Sequence, residues 1–496
     1  MLRQAAGSAR VAGQRWAARP RAQHLRWTSS TARRKSSSKL PWAIGLLAAG
    51  GAGYNLGRDG GGGGVCSSAS APTRRASSTA PGIPGAASED DIPVDSPVTA
   101  LDLAASNVKI REQAQSFVFA NGRHRGRVDV VRVSSNNPVE DEWAVGVGTG
   151  PGGGEALYVG VYDGHAGWAT SAVLKQALIR YVSGALGRLA PSSDGDSIDG
   201  AIADAFTRLD DRIMAAARQA TESAAVDPGA ASAVRALAPA LAGSCALLSV
   251  YDAASSTLRT AVTGDSRAVL GAWSPGAGAF RAEALSRDQT GFNEDEVRRL
   301  DAAHPGELAD MIDAKSGRLL GIAVTRAFGD HRWKWPNDAV AAAQARLFGY
   351  APRPRSRTPP YMTARPEVTT RRVSPADFAI LASDGLWDVI SNADAVACVE
   401  RWLAAKKAGR PEGVTPAPSE LTVGDDGYAS WKATPRDFAI EDLDSAAVCL
   451  VKNALGGRRR GMFCGAMTAY SPLSRYVRDD ITVQVIFFRD PYGSDE

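Results

Sequence analysis

The sequence predicts an α+β domain in which antiparallel sheet is covered by helices. Short apolar segments separated by turn residues predict strands, and apolar residues at three- and four-residue spacing from Ile198 to Ile213 predict an amphipathic helix. These blocks come in mixed order, without the strict alternation of strand and helix that is typical of a parallel α/β sheet. One folded domain is therefore predicted over residues 100–492 of the 496.

A second helix is predicted over residues 169–186, after a turn that begins at Asp163. The predicted strands are 156–160, 246–251, 258–262, 268–272, 378–382 and 481–488. Two polar stretches of irregular pattern, 335–360 and 406–436, are predicted to be insertions at the surface of the domain.

The first 58 residues differ in composition from the rest of the chain. They contain eleven of its 57 lysines and arginines and none of its 53 acidic residues. This composition predicts a mitochondrial presequence over residues 1–56, because a secretory signal peptide would place its apolar core sooner after the basic start. The apolar segment 41–55 is either an element that associates with the inner membrane or a cleaved segment. Residues 57–99, rich in Gly, Ser and Pro, are predicted to be a disordered linker.

Beyond residue 58 the chain is net acidic by about seven charges, which argues against nucleic-acid binding through a basic surface. The five cysteines lack metal-ligand spacing and are predicted to be reduced thiols. Gly148, Gly150 and Gly153 spell GxGxxG, but Pro151 and the following strand predict a hairpin loop rather than a dinucleotide site. The basic run 458–460 is predicted to be a solvated loop.

Acidic residues stand at the ends of several predicted strands. Asp163, Gly164 and His165 follow the strand 156–160, and Asp384 follows the strand 378–382 in the same apolar-Asp-Gly form. The other acids at such positions are Glu140, Asp141, Asp265, Asp479 and Asp480. Each alone is typical of a solvated turn, but together they predict an oxygen-rich pocket that cations would neutralise. Hard divalent ions prefer such ligands, whereas zinc would require clustered His or Cys.

Eight segments carry a family resemblance: NNPVED, VYDGHAG, GSCAL, GDSRAVL, LSRDQTGFNEDEVRRL, GRLLGIAVTRAFGD, LASDGLWDVI and RDDITV. In this order they resemble the serial motifs of the metal-dependent serine/threonine protein phosphatases of type 2C. The form NNPVED, the insertions and the leader most resemble the pyruvate dehydrogenase phosphatase branch and its fungal relatives. The resemblance implies a central β-sandwich of two antiparallel sheets flanked by helix pairs, with metals at one edge.

The resemblance also implies the ligands of the metals. Asp163 would bridge two magnesium or manganese ions, Gly164 would offer its carbonyl, and Asp384 and Asp479 would complete the pair. Asp479 rather than Asp480 matches the first acid of its motif.

Four further acids take roles from the same resemblance. Glu140 and Asp141 would hold metal-bound waters. Asp265, with Asp388 as a further candidate, matches the region of a weaker third ion.

Hydroxide formed from a water shared by the two ions would attack phosphorus in line. His165 is the candidate general acid for the departing Ser or Thr oxygen, and the alternative is a packed histidine at a strand end. At one position the chain departs from the family pattern, because Asn136 stands where many members carry an arginine that clamps the substrate phosphate. Asn136 is the candidate phosphate-binding residue, and Arg132 is a candidate substitute base.

The predicted function is therefore hydrolysis of phosphoserine and phosphothreonine in a mitochondrial phosphoprotein, for which the resemblance implies pyruvate dehydrogenase. The alternative is a catalytically inactive protein of the same fold that binds partners, although such a protein would be expected to have lost the metal-binding acids. The sequence leaves open whether the domain faces the matrix or the intermembrane space.

Overall fold

The computed structural model describes residues 96–424, 427 and 429–493. The predicted presequence, the segment 41–55, Cys66 and most of the predicted linker lie outside the described residues. Within the described ranges, no helix is both long and apolar enough to span a bilayer.

The described part of the chain forms sixteen strands and thirteen α-helices. The strands are β1 (Gln115–Asn121), β2 (His124–Val133), β3 (Glu142–Thr149), β4 (Glu155–Tyr162), β5 (Gly164–His165), β6 (Gly243–Ser244), β7 (Ala246–Asp252), β8 (Thr257–Thr263), β9 (Arg267–Ser274), β10 (Ala279–Ala284), β11 (Phe328–Gly329), β12 (Glu367–Arg372), β13 (Phe378–Ala382), β14 (Thr422–Val423), β15 (Ala429–Ser430) and β16 (Ile481–Phe487). The helices are α1 (Leu103–Arg111), α2 (Ala169–Leu186), α3 (Gly195–Glu222), α4 (Ala231–Leu241), α5 (Glu294–Ala303), α6 (Leu308–Met311), α7 (His331–Lys334), α8 (Asn337–Leu347), α9 (Asp384–Trp387), α10 (Asn392–Lys407), α11 (Ala446–Ala454), α12 (Arg460–Thr468) and α13 (Ser474–Val477).

Two sheets face each other across a shared core. One has six strands in the order β1-β2-β16-β13-β9-β10, and the other has five in the order β12-β8-β7-β4-β3. Neighbouring strands in both sheets pair antiparallel. The Gln484 side chain spans the sandwich, since its Nε2 donates to the carbonyl oxygen of Gly160 at 2.5 Å. The predicted α+β class with a two-sheet sandwich is confirmed.

The central strand β13 is buried on both faces. Its residues Ala379 and Leu381 pack between the two sheets, whereas Phe378 and Ile380 pack against the helix layer that contains α10 and α11. Side chains alternate across a strand, so a strand covered on both faces requires an unbroken apolar run. The run 378–382 is predicted as a strand because it is a short apolar segment bounded by turn residues, and its bounds agree with β13.

Helices cover the outer face of each sheet. Helix α3 packs on the five-stranded sheet with α2, and it begins at Asp194, whose side chain accepts a hydrogen bond from the Ser197 amide. Its predicted apolar face is buried throughout, at Ile198, Ile202, Phe206, Leu209 and Ile213. The predicted helices 169–186 and 198–213 are both confirmed.

Two local predictions about surface segments were wrong. Within 335–360, helix α8 buries Ala339, Val340 and Leu347 in the core beside α3, and an alanine-rich face gives only a weak periodic signal. In the basic run 458–460, Arg459 is buried with its Nε 3.7 Å from Asp437 Oδ1. Asp437 is distant in sequence, so the basic run alone could not show that Arg459 would be buried.

Two other predictions hold, and a third holds in part. The stretch 408–421 has no regular structure and is largely exposed, but Trp431 and Ala433 of the predicted 406–436 insertion are buried in the core. Gly150 and Gly153 of GxGxxG lie in the loop of the β3–β4 hairpin, and Gly148 lies near the end of β3. The four cysteines in the described part are free thiols, namely Cys245, Cys398, Cys449 and Cys464.

Candidate metal centre

Three aspartates from different parts of the chain meet at one edge of the sandwich. Asp163 follows β4 of the five-stranded sheet, and Asp384 follows β13 of the six-stranded sheet. Asp265 lies in the turn from β8 to β9, where the chain crosses from one sheet to the other. One carboxylate oxygen from each lies within 4.8 Å of the other two. The structure therefore brings together three of the acids that the sequence placed at strand ends.

The three carboxylates strongly perturb one another. Burial raises the pKa of Asp163 well above its usual range, and the charge of Asp384 adds to that effect. Burial also raises the pKa of Asp384, and burial together with the Asp384 charge raises the pKa of Asp265 to about 7. Among the described residues, no basic side chain forms an ion pair with any of the three. Carboxylates so crowded favour a bound cation.

Asp141 lies beside this cluster and has an unsatisfied oxygen. Its side chain is 1% exposed, and within the described ranges its Oδ2 has no hydrogen-bond partner. Burial and the Asp480 charge raise the pKa of Asp141 to about 8. A buried carboxylate oxygen without a donor calls for a water or a cation. The donor set of carboxylate oxygens fits a hard divalent ion such as Mg²⁺ or Mn²⁺.

Both Asp-Gly turns need their glycine for packing. A Cβ on Gly164 would collide with the carbonyl oxygen of Glu140, and a Cβ on Gly385 would collide with that of Asp480. The glycines therefore let the 135–141 loop and the start of β16 approach the two aspartates that precede them. This steric requirement explains why the apolar-Asp-Gly form occurs twice.

Asp480 anchors the 135–141 loop. It is 2% exposed, and its carboxylate accepts from the backbone amides of Ser135 at 2.5 Å, Asn136 at 2.9 Å and Glu140 at 2.8 Å. Its neighbour Asp479 is 38% exposed at the side chain and pairs with Arg475. Asp479 lines the same cavity as Asp163 and Asp384, but it lies outside the 4.8 Å cluster.

The Glu140 carboxylate is held at both oxygens. Its Oε1 accepts from the Gly167 amide at 2.6 Å, and its Oε2 accepts from Asn136 Nδ2 at 2.7 Å. Burial raises the pKa of Glu140 despite these bonds. The side-chain amide of Asn136, the candidate phosphate-binding group, therefore bonds to carboxylates of the protein.

Arg132 is engaged in the same way. Its Nε donates to Gln113 Oε1 at 2.6 Å, and its Nη1 donates to the Asp141 carbonyl at 2.7 Å and pairs with Glu142 at 2.8 Å. Arg132 thus positions the backbone beside Asp141. Its contacts do not favour the interpretation that it replaces the phosphate-clamping arginine.

His165 faces the cavity from β5 and has a partner that the sequence did not reveal. Its Nε2 lies 2.6 Å from Asp330 Oδ2, and Asp330 is 1% exposed. Burial lowers the pKa of His165, but the Asp330 carboxylate outweighs burial and raises the pKa overall. Asp330 stands in the segment AFGD at a φ of 55°, in the left-handed region. The two residues are 165 positions apart, and no local pattern in the sequence indicates their contact.

The acids open into two neighbouring cavities. One of about 430 Å³ is lined by Asp163, His165, Asp384 and Asp479 among others. A second of about 540 Å³ is lined by Asp265, Asp384 and Asp388 among others. Burial and the Asp384 charge raise the pKa of Asp388 to about 6. Asp265 and Asp388 thus share the second cavity, where the sequence predicts a weaker ion.

Comparison with known proteins agrees with this architecture. Residues 151–421 match the family model Protein phosphatase 2C. A protein phosphatase 2C homolog of Schizosaccharomyces pombe is 38% identical over 373 residues, which cover 73% of this chain and 80% of that protein. The mitochondrial pyruvate dehydrogenase (acetyl-transferring) phosphatase 1 of Saccharomyces cerevisiae is 33% identical over 436 residues, with 80% of this chain and 74% of that protein covered.

The human protein of the same name is 29% identical over 433 residues, covering 73% of this chain and 77% of its own. The motif order, the converging acids and these relatives lead to one conclusion. The chain belongs to the protein phosphatase 2C family.

Proposed function

We propose that this protein is a metal-dependent phosphoserine/phosphothreonine phosphatase of mitochondria. The observation that supports this most directly is the convergence of Asp163, Asp265 and Asp384, whose carboxylate oxygens lie within 4.8 Å of one another without a basic partner among the described residues. A phosphatase that works on two divalent ions needs such a group of converging carboxylate oxygens.

The proposed ligands of two magnesium or manganese ions are the carboxylates of Asp163, Asp384 and Asp479 and the carbonyl of Gly164. Bound there, the ions supply Lewis acidity and lower the pKa of a coordinated water toward neutrality.

The remaining acids are proposed to act around that pair. Glu140 and Asp141 contribute through waters, and Asp265 with Asp388 forms a weaker third position. The raised pKa values of Asp141, Asp265 and Asp388 fit groups that ionise fully only when a cation is near.

His165 is proposed as the general acid. Its Nε2–H donates to Asp330 Oδ2, which orients the ring and favours the protonated form. The other ring nitrogen, Nδ1, is then left to pass a proton to the departing Ser or Thr oxygen. A positioned general acid contributes roughly 10²–10⁴-fold to such a step.

Phosphate release from a phosphoserine peptide tests the proposal. Wild-type protein is expected to require Mn²⁺ or Mg²⁺, and Asp384→Asn is expected to lose about 10³-fold or more in kcat, because a ligand to the ions is weakened. Asp204→Asn is the matched control, since Asp204 forms an exposed pair with Arg365 outside the site. If wild-type protein releases no phosphate with either ion, the inactive partner-binding alternative replaces this proposal.

We further propose that the substrate is the phosphorylated form of pyruvate dehydrogenase. The support comes from the yeast and human relatives that carry this activity and location in their names, together with the acid-free basic composition of residues 1–58. Residues 1–56 would be the presequence, 57–99 the linker and 100–492 the catalytic domain, with 41–55 as a possible site of inner-membrane association.

Import into isolated mitochondria tests the location. The domain is expected to resist protease after the outer membrane is ruptured, which corresponds to the matrix. Digestion under those conditions would contradict a matrix substrate, and resistance of the protein to alkaline extraction would indicate that segment 41–55 associates with the inner membrane.

A further inference from the structure

The cavity that contains the acids is also lined by basic side chains. Asp163 and Asp384 line this 430 Å³ cavity together with Arg332, Arg353 and Tyr350, and the last three are called the basic wall. Arg332 lies on α7, and Arg353 follows α8 within the segment 335–360 that the sequence marked as an insertion. A basic wall within reach of the reacting centre is suited to a second anionic group of a substrate.

Arg332 is fixed in place by the protein. Its Nε donates to the carbonyl oxygen of Ala351 at 2.8 Å. Its guanidinium carbon lies 5.4 Å from the ring centroid of Tyr350 and 5.7 Å from that of Trp333. Stacking on two aromatic rings restricts the side chain before any ligand binds.

Arg353 is held against the same tryptophan. Its Nε donates to the carbonyl oxygen of Leu320 at 2.8 Å, and its guanidinium carbon lies 4.6 Å from the Trp333 centroid. Trp333 is itself buried, and its Nε1 donates to the Leu319 carbonyl at 3.0 Å. The two guanidinium groups therefore share one rigid support.

Neither arginine is neutralised by the protein. In the part of the chain that the structure describes, no carboxylate forms an ion pair with Arg332 or Arg353. The acid whose charge acts on both is Asp330, and its carboxylate already binds His165. Two neighbouring, partly buried cations without a counter-ion are unfavourable, and an anion between them would relieve the repulsion.

We propose that Arg332 and Arg353 form a subsite for a second anionic group of the phosphopeptide, either a carboxylate or another phosphate, close to the serine or threonine that is dephosphorylated. The inference rests on the proposed phosphatase function. Because Asp330 links this wall to His165, the subsite lies on the side of the leaving group, where the residues that flank the phosphoserine would lie. It also supplies positive charge to a site whose Asn136 and Arg132 are engaged with protein groups.

Peptide kinetics test this subsite. The parent peptide has one phosphoserine with alanine at the two positions before it and the two positions after it. In one series, each peptide replaces one of these four alanines by glutamate. In a second series, each peptide replaces one of them by a second phosphoserine. Wild-type protein is expected to prefer the best anionic peptide over the parent by about tenfold in kcat/KM, as typical of a charge-assisted contact, and added salt is expected to reduce that preference.

The Arg332→Ala/Arg353→Ala double variant is expected to bring this preference close to one. Its activity on p-nitrophenyl phosphate, which has no second anion, should fall less than its activity on the best peptide. The preference is a ratio within one preparation, so partial misfolding does not alter it. Arg332→Lys/Arg353→Lys keeps the charge but loses the planar guanidinium groups, so it is expected to give an intermediate preference. This lysine variant replaces the alanine variant in the test if the alanine variant does not fold.

The control is Arg180→Ala/Arg208→Ala, which removes the same charge from exposed positions on α2 and α3 and should change neither activity. A preference that survives in both Arg332/Arg353 variants would overturn the inference, as would equal losses on p-nitrophenyl phosphate and peptide. A larger preference for phosphoserine than for glutamate identifies a second phosphate, and equal preferences identify a general anion subsite. Absence of Mn²⁺-dependent hydrolysis of p-nitrophenyl phosphate by wild-type protein would instead refute the proposed function.

Discussion

Two groups of buried carboxylates in this molecule have opposite electrostatic surroundings. At the candidate metal centre, burial and neighbouring acids raise the pKa values of Asp141, Asp163 and Asp265. On α5, Glu296 is fully buried, but it accepts hydrogen bonds from Arg326 and Arg299. Burial alone would raise the pKa of Glu296, and the two arginines instead lower it to about 2.

The difference shows that the fold places arginines beside some of its acids and not beside others. Where an acid has a structural role, the chain provides the cations, as it does for Glu296. Around Asp163, Asp265 and Asp384, the described part of the chain provides none in direct contact, which leaves room for ions from solution. Replacing an acid should therefore have opposite consequences in the two places, and four measurements test this contrast.

The largest effect is expected for Asp163→Asn. Phosphate release should fall by about 10³-fold or more, because the carboxylate proposed to bridge the two ions is lost. The metal-free variant should be at least as stable to denaturant as metal-free wild type, since one of several repelling charges is removed. A marked loss of metal-free stability would mean that Asp163 has a structural role like that of Glu296.

Glu296→Ala is expected to lower the free energy of unfolding by about 3–5 kcal/mol, because it leaves the buried Arg326 with only its longer 3.4 Å pairing to Glu367. Denaturant unfolding measures this, and activity per folded molecule should be retained. Glu222→Ala, which removes an exposed pair with Arg218, is the control and should cost at most about 0.5 kcal/mol. Equal costs for the two variants would contradict the comparison.

Mn²⁺ is expected to stabilise the wild-type protein by about 2.7 kcal/mol at a concentration one hundred times its Kd, because the ion binds the folded state. Thermal unfolding with and without the ion measures this increment. Glu296→Ala should gain the same increment, and Asp163→Asn/Asp384→Asn should gain little. An increment that persists in the double variant would place the ions elsewhere.

The last effect concerns pH. Without metal, the folded protein holds protons on Asp265 up to a pKa of about 7 and on Asp141 up to about 8, whereas the unfolded chain releases them near pH 4. Their stabilising contribution is therefore complete below pH 4 and is lost as the pH rises toward 8. Glu296 acts oppositely: its contribution is present above pH 4.5 and is lost toward pH 2.

Unfolding free energies of the metal-free protein between pH 4 and 8 measure the decrease in stability that is attributed to Asp141 and Asp265. Saturating Mn²⁺ should abolish it, because the bound ions favour the ionised carboxylates. A stability that rises with pH over this range without metal would contradict the assignment of opposite environments.

Much of the fold could be predicted because its signals are local. The run 378–382 is apolar throughout, so it indicates a strand buried on both faces, and the spacing from Ile198 to Ile213 indicates one face of a helix. The positions of Asp163 and Asp384 at strand ends could be predicted for the same reason. Helix α8 could not, because alanine gives little contrast between a buried and an exposed face.

The sequence alone indicates six of the strands (β4, β7, β8, β9, β13 and β16), helices α2 and α3, the family and the acids that could hold metals. The packing of the sheets and helices decides which side chains far apart in sequence meet: Asp330 with His165, Asp480 with the backbone of Ser135, and Asp163 with Asp265 and Asp384. Periodicity and turn preferences act over a few residues, whereas these contacts join groups that come together only when the two sheets and their helices pack. A side chain's partners, and with them its charge and its role, follow from that packing.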